Sequence, residues 1–286
     1  MWDLNYTSVK EVMAALDENG LAMSKKFGQN FLIDRYARES IAALIGAKEG
    51  MNLWEIGPGL GAITSLIIPT KANLKVFEID NGFCRVLSEK AFADDENFTL
   101  IQGDALKTIP QLDEVPNIIY GNLPYNVGSV IIASLLERSI LPEKMVFTLQ
   151  KEVVDRMTAS AGDDNYSSFS LLTQLDFENS LSLVIKKGCF YPEPKVESAV
   201  VVMKKRENPM IPFAYRETFI KMVRDLFSQR RKNIRNNLLS GTVGKKGGKE
   251  AVEMVLKKSG FTGSERAETF GFEEFLAITK AYKELV

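Results

Sequence analysis

Residues 51 to 61 read Met51-Asn52-Leu53-Trp54-Glu55-Ile56-Gly57-Pro58-Gly59-Leu60-Gly61. A short apolar run leads into three glycines spaced two apart, and Ala62 to Ile68 then reads as a helix ended by Pro69. Strand, glycine turn and helix is the layout in which backbone can approach a nucleotide-like cofactor. The spacing is not the Gly-x-Gly-x-x-Gly of dinucleotide binders, and an acid, Glu55, stands directly before the turn. By itself such a turn also fits a plain connection between strand and helix.

The neighbouring segments decide between these readings. Leu74 to Phe77 reads as a second strand ending in Glu78. That acid lies about 20 residues beyond the glycine turn, where a carboxylate at a strand tip can hold ribose hydroxyls. Phe98 to Ile101 is a third strand, followed by Gly103-Asp104-Ala105, whose carboxylate can accept from an exocyclic amino group. Asn117 to Tyr120 is a fourth, followed by Gly121-Asn122-Leu123-Pro124-Tyr125-Asn126. Helical spacing returns at Val130, Ile131, Ala133, Leu135 and Leu136, and Met145 to Leu149, Leu181 to Ile185 and Ser198 to Met203 read as further strands. Strands alternating with helices predict an α/β fold with a mostly parallel, doubly wound sheet. Upstream, Val9, Val12, Met13 and Leu16 predict a helix ending at Asn19-Gly20, and Lys25 to Asp34 reads as a functional loop before a helix over Arg35 to Ile45. Ala159 to Ser168 reads as a surface loop.

A chain of 286 residues can hold one sizeable core and a smaller second unit. The composition shift at Lys204 to Pro209 places the boundary so that residues 1–206 form a catalytic domain and 207–286 a helical one. No apolar run has the length of a membrane span and the N-terminus lacks a signal-peptide core, so a soluble cytoplasmic protein is expected. Cys84 and Cys189 cannot build a metal cluster alone, and no metal is expected. The chain contains no histidine, which removes Ser-His-Asp and Cys-His nucleophiles and the HExxH zinc site.

The formal net charge of −1 hides an uneven distribution. After the apolar stripe Phe219, Met222, Val223, Leu226 and Phe227 come Arg230, Arg231, Lys232 and Arg235, with few acids near them in sequence. Such a cluster suits phosphate contacts.

A cofactor site without imidazole or metal suits group transfer from an activated donor. S-adenosylmethionine fits, with Glu78 and Asp104 holding its adenosine and the protein acting by positioning and electrostatics. The Asn122 side-chain oxygen and a carbonyl from the Leu123-Pro124 turn could accept both N–H bonds of an adenine amine. Tyr125 can stack on the extruded base, and Phe190, in the proline-stiffened run Cys189 to Val196, offers a second stacking surface.

These segments together resemble a known family. GQNFLID at Gly28 to Asp34, EIGPGLGAIT at Glu55 to Thr64, NLPYN at Asn122 to Asn126, FYPEPKVESAV at Phe190 to Val200 and FSQRRKNIRNNL at Phe227 to Leu238 resemble the KsgA-type ribosomal RNA adenine dimethyltransferases. The resemblance implies a class I methyltransferase fold, with a Rossmann-like seven-stranded sheet and a small helical C-terminal domain. It implies methylation, by S-adenosylmethionine, of two adjacent adenosines near the 3′ end of small-subunit rRNA within a pre-30S particle. A monomer is expected, because nothing in the sequence suggests a large interface. By position, Asn30, Leu32, Gly57, Gly59, Glu78, Asp104, Ala105 and Asn122 would contact the cofactor. Asn122, Leu123, Pro124, Tyr125 and Phe190 would serve catalysis, and Lys25, Lys26, Arg230, Arg231, Lys232 and Arg235 would face RNA. Gly241 to Gly248 is read as a loop. The alternatives are the related large-subunit enzymes of macrolide resistance and a non-catalytic RNA-binding assembly factor; intact Glu78, Asp104 and Asn122 argue against the latter.

Overall fold

The computed structural model describes residues 2–21 and 30–285. The chain forms two compact units, one from the residues up to Val154 together with Asn179–Lys205, the other from Asp155–Glu178 together with the chain from Arg206 onward.

In the first unit, helix α1 (Val9–Glu18) precedes a two-residue strand β1 (Phe31–Leu32) and helix α2 (Arg35–Ile45). Asp34 caps α2 by accepting from the Ala37 N–H at 2.7 Å, and Gly46, in the left-handed region, ends it. Strands β2 (Asn52–Ile56), β3 (Asn73–Glu78), β4 (Phe98–Gln102), β5 (Ile118–Asn122) and β6 (Lys144–Gln150) then alternate with helices α3 (Thr64–Ile67), α4 (Asn81–Val86), α5 (Ala105–Thr108) and α6 (Gly128–Glu137). After β6 come α7 (Lys151–Thr158) and α8 (Ser168–Gln174), then β7 (Phe177–Ile185), β8 (Phe190–Tyr191) and β9 (Ser198–Lys205).

Seven strands form one sheet in the order β4-β3-β2-β5-β6-β9-β7, and β1 pairs with β8 in a separate antiparallel ribbon. The pairs β2 with β3, β3 with β4, β2 with β5 and β5 with β6 are parallel, and β9 joins antiparallel to β6. Leu53, Trp54, Ile56, Ile118, Ile119 and Tyr120 are all buried, as expected of central parallel strands covered on both faces. The strand order reverses direction at β2, where β3 lies on one side and β5 on the other. Ligands of open α/β sheets sit beyond the strand tips at such a point.

The helix after the glycine turn is shorter than the sequence predicts. Turns run to Ile63, the α-helical part is Thr64–Ile67, and Pro69 lies within a 3-10 turn, Ile68–Thr70, rather than after the helix. Pro is tolerated there because the first N–H groups of such a turn need no internal partner. The fourth strand also runs further than expected, so Asn122 is its last residue.

The second unit contains α7's end, α8 and four later helices, α9 (Arg216–Phe227), α10 (Ile234–Ser240), α11 (Thr242–Ser259) and α12 (Phe272–Lys283). Phe219, Met222, Leu226, Leu238, Val255, Phe275 and Ile278 share one core with Leu171 of α8 and Leu175 just after it. The expected division into residues 1–206 and 207–286 therefore differs in one long segment and by one residue at the boundary: 155–178 and Arg206 belong with the C-terminal helices. The Asp176 side chain pairs with the buried Arg216 guanidinium, and its backbone carbonyl accepts from the Arg206 N–H at 2.8 Å. A buried pair of this kind is costly to break, because either partner alone would be an uncompensated charge.

Gly241 to Gly248 is not a loop. Thr242 to Lys246 is helical, and the helix is interrupted at Gly247 and Gly248, the latter with φ of +63°. Asp225 accepts from the Thr242 N–H and so ties this start to α9. Among the described residues no helix is long and apolar enough to cross a membrane.

Candidate active site

Beyond the tips of the parallel strands lies a cavity of about 250 Å³ in the first unit. Its walls include Asn30 and Leu32 from the β1 region, Gly57 and Gly59 after β2, Glu78 at the end of β3, Asp104 and Ala105 after β4, and Asn122, Leu123, Pro124 and Tyr125 after β5. Four strand tips thus converge on one site, as the sequence predicts. The volume is slightly below the usual range of about 300–1,000 Å³ for small-molecule sites.

The glycine turn brings backbone close without side chains. Gly57 has φ of +69°, a region that L side chains rarely adopt, and nothing lies within 4 Å of where its Cβ would be. Its N–H donates to the Phe77 carbonyl at 2.9 Å, which anchors the turn to β3. The Gly59 N–H donates to Glu78 Oε2 at 3.2 Å. Glu78 Oε1 accepts from the Ile79 and Asp80 N–H groups, each at 2.8 Å. Among the described residues Oε2 thus takes a single donor and keeps acceptor capacity. Burial pushes the Glu78 carboxyl up to about 7 against the pull of these three N–H groups.

Asp104 caps α5, its Oδ1 accepting from the Leu106 N–H at 3.0 Å. Its Oδ2 has no donor among the described residues, so one oxygen is available to a ligand amino group.

Among the described residues, one hydrogen bond orients the Asn122 side chain. Its Nδ2 donates to the Asn30 carbonyl at 3.2 Å. A carbonyl can only accept, so this contact identifies the amide's NH₂ end and turns Oδ1 the other way. The Leu123 N–H donates to the Thr148 carbonyl at 3.1 Å, which extends the β5–β6 pairing past Asn122. The Pro124 carbonyl accepts from Val127 and Gly128 at the start of α6, at 3.1 and 2.9 Å. The acceptor that this turn can offer a ligand is therefore the carbonyl of Leu123. The half-buried Tyr125 hydroxyl lies 2.5 Å from the buried Ser198 Oγ, at the start of β9, and burial raises its pKa.

Glu55 is a cavity residue to which the sequence assigns no role. It is buried at the end of β2, and its Oε2 accepts from Thr64 Oγ1 at 2.7 Å and from the Tyr120 hydroxyl at 2.9 Å. Burial lifts this carboxyl to about 7 as well. The signal was an acid inside an otherwise apolar strand, directly ahead of the glycine turn.

Residues 20–283 match the family model described as ribosomal RNA adenine dimethylase. The chain belongs to this family. The ribosomal RNA small subunit methyltransferase A of Treponema denticola is 42% identical over 280 residues, covering 96% of this chain and 94% of that protein. The protein of the same name from Geobacter sulfurreducens is 33% identical, covering 92% and 96%. Among solved structures, a dimethyladenosine transferase from Plasmodium falciparum superposes with a TM-score of 0.72 at 21% identity, covering 88% of this chain and 96% of its own. The 23S rRNA methyltransferase ErmE gives 0.63 at 25% identity, covering 88% and 99%. The fold is that of the class I methyltransferases, with helices at the C-terminal end.

Three of the residues expected at the site of this adenine dimethylase have surroundings that the sequence does not predict. Phe190 does not line the cavity: it is 3% exposed and packs in the core cluster with Leu32, its register partner in the β1–β8 ribbon. Side chains alternate along a strand, and the alternation turns Phe190 inward. Arg230 and Arg235 are both ion-paired within the helical unit. Arg230 bonds Glu268 at 3.1 Å and the Asp164 carbonyl at 2.6 Å. Arg235 pairs with Glu253 and donates to the Thr262 carbonyl at 2.6 Å. Both acids come from far along the chain. Arg231 and Lys232, by contrast, are exposed and have no ion pair among the described residues; they lie in the turn between α9 and α10. Lys25 and Lys26 lie outside the described residues.

Proposed function

We propose that the protein transfers methyl groups from S-adenosylmethionine to the N6 atoms of two adjacent adenosines near the 3′ end of small-subunit rRNA. The observation that carries this reading is the Asn122 amide, fixed by Asn30 at the rim of a cavity that also holds Glu78 and Asp104. The family assignment supports the reaction, and the names of the Treponema and Geobacter relatives support the small subunit over the large one.

The residues present fit the donor. Gly57 leaves room for its amino-acid portion, Glu78 Oε2 can accept from a ribose hydroxyl, and the open oxygen of Asp104 can accept from adenine's amino group. When bound, S-adenosylmethionine supplies a methyl already activated on a sulfonium. The protein's task is then to present the nitrogen. An adenine amine is a poor nucleophile because its lone pair is delocalised into the ring. Asn122 Oδ1 and the Leu123 carbonyl can accept its two N–H bonds, which draws the nitrogen toward a tetrahedral arrangement and holds it in line. Tyr125 offers a stacking face for the extruded base. No strong general base is required, since the methylated nitrogen is acidic enough to lose its proton to water.

Arg231 and Lys232 on the helical unit would contact rRNA phosphates. On this reading the protein acts in the cytoplasm, as a monomer, on a precursor of the small subunit. Incubation with labelled donor and separated, unmethylated small and large subunits tests it: label enters the small subunit. Label confined to the large subunit would overturn the substrate assignment.

A further inference from the structure

The glycine turn is held on its outer side by two residues that do not line the cavity. Tyr6 precedes α1 and is buried; its hydroxyl donates to the Leu60 carbonyl, inside the turn, at 2.8 Å. Trp2 Nε1 donates to that same hydroxyl at 3.2 Å, so the phenol's proton is committed to Leu60. Burial lifts the phenol to about 12, which keeps it a donor at all physiological pH. Arg38, from α2, lies with its guanidinium 4.7 Å from the centre of the Tyr6 ring. Its Nε and Nη2 both donate to the Ala62 carbonyl, at 3.1 and 2.9 Å.

Arg38 is 8% exposed and has no ion pair among the described residues. Burying a guanidinium is expensive, and here its donors go mainly to one backbone oxygen and one aromatic face. Each peptide unit is planar with C=O and N–H opposed, so holding the Leu60 and Ala62 carbonyls fixes the planes of the turn around them. The apolar packing continues the same contact: Val12 and Leu16 of α1 share a cluster with Leu60, Phe83, Phe31 and Ala62, of which the last three also face the cavity. The family match begins at residue 20, after this segment.

We propose that Tyr6 and Arg38 are positioning residues for the donor, clamping the glycine turn through the Leu60 and Ala62 carbonyls and thereby setting the affinity of the cavity for S-adenosylmethionine. The proposal rests on the assignment of this cavity to that ligand. It separates donor affinity from chemistry, because neither residue reaches Asn122 or the target base.

The test uses the full chain with Tyr6→Phe, which keeps the ring and its packing, and Arg38→Met, with Arg38→Lys as the conservative partner. Calorimetric Kd for S-adenosylmethionine should rise about fivefold for Tyr6→Phe, the loss expected for one buried hydrogen bond, and further for Arg38→Met. Arg38→Lys should recover only part, since an ammonium lacks the guanidinium fork. KM for the donor should follow Kd, while kcat at saturating donor and KM for the ribosomal substrate stay unchanged. Unchanged donor Kd in a folded Tyr6→Phe, with or without a lower Tm, would overturn the clamp, as would a fall in kcat with no change in Kd. If Arg38→Met does not fold, Tyr6→Phe decides alone. A wild-type protein that binds the donor but methylates no RNA overturns the functional reading and leaves the Kd comparison standing; one with no affinity for the donor overturns both.

Discussion

The Asn122 side chain donates from Nδ2 to the Asn30 carbonyl at 3.2 Å, across 92 residues of chain. This contact ties the tip of the central strand to the segment leading into β1, and it fixes which end of the amide can meet an incoming amine. Asn122→Ala removes the acceptor together with the bond to Asn30 and keeps the Glu78 and Asp104 contacts of the cavity. The expected result is a fall in kcat of about 10² to 10³, the usual loss for one preorganised polar group, with donor Kd within about threefold of wild type. Single-turnover kinetics with calorimetry checks both; near-normal dimethyladenosine yield would remove Asn122 from the mechanism.

Tyr125 and Ser198 provide a second pair. If the 2.5 Å contact between their oxygens holds the ring where a base stacks, Tyr125→Phe and Ser198→Ala should each lower kcat by a similar factor. The double variant should then lose little more than either alone, since neighbours that act through one bond are not additive. Multiplicative losses would show that the two act separately.

Glu55 and Glu78 titrate near pH 7 in the folded protein because burial disfavours their charged forms. In the unfolded chain both would ionise near the ordinary glutamate value of about 4.3. Their contribution to stability is therefore fully present below that value and is lost as pH rises through about 7. Ligand-free protein should show Tm declining over this window, and Glu78→Gln should flatten part of the decline. A ribose hydroxyl donating to Glu78 favours the carboxylate, so donor Kd should tighten as pH rises toward 7 and level off above it. A Kd independent of pH between 6 and 8 would contradict that contact.

The basic residues after α9 divide into two kinds. Replacing Arg231 and Lys232 by Ala should lower the slope of log K against log salt by about 0.7 to 0.9 per lost phosphate contact, with Tm unchanged. Replacing Arg235 should instead lower Tm by removing bonds to Glu253 and Thr262, with a smaller effect on the slope. Exposed pairs of this type contribute roughly 0 to 1 kcal/mol, so the shift in Tm should be small.

The strand tips were legible because buried parallel strands leave continuous apolar runs, and Gly57, Glu78, Asp104 and Asn122 each stop one. What escaped depends on partners distant in sequence. Glu268 and Glu253 neutralise Arg230 and Arg235 only once α11 and the segment before α12 fold beside them. Residues 155–178 join the helical unit through Asp176 and its pairing with Arg216, 40 residues on. Phe190 reads as a free aromatic beside two prolines, and only the pairing of β8 with β1 shows that its ring is buried in the core. Gly121 precedes Asn122 for a reason that no local pattern reveals: a Cβ there would run into the Ile56 carbonyl oxygen of the neighbouring strand.

On the proposed function, this cavity and Asn122 deliver methyl groups to N6 of small-subunit adenosines. The most direct measurement is nuclease digestion and mass spectrometry of rRNA from unmethylated small subunits after incubation with the protein and S-adenosylmethionine. The predicted result is N6,N6-dimethyladenosine at two adjacent positions near the 3′ end, absent with Asn122→Ala. Methyl groups on another atom or base, or no modification of the small subunit by wild-type protein that binds the donor, would contradict it.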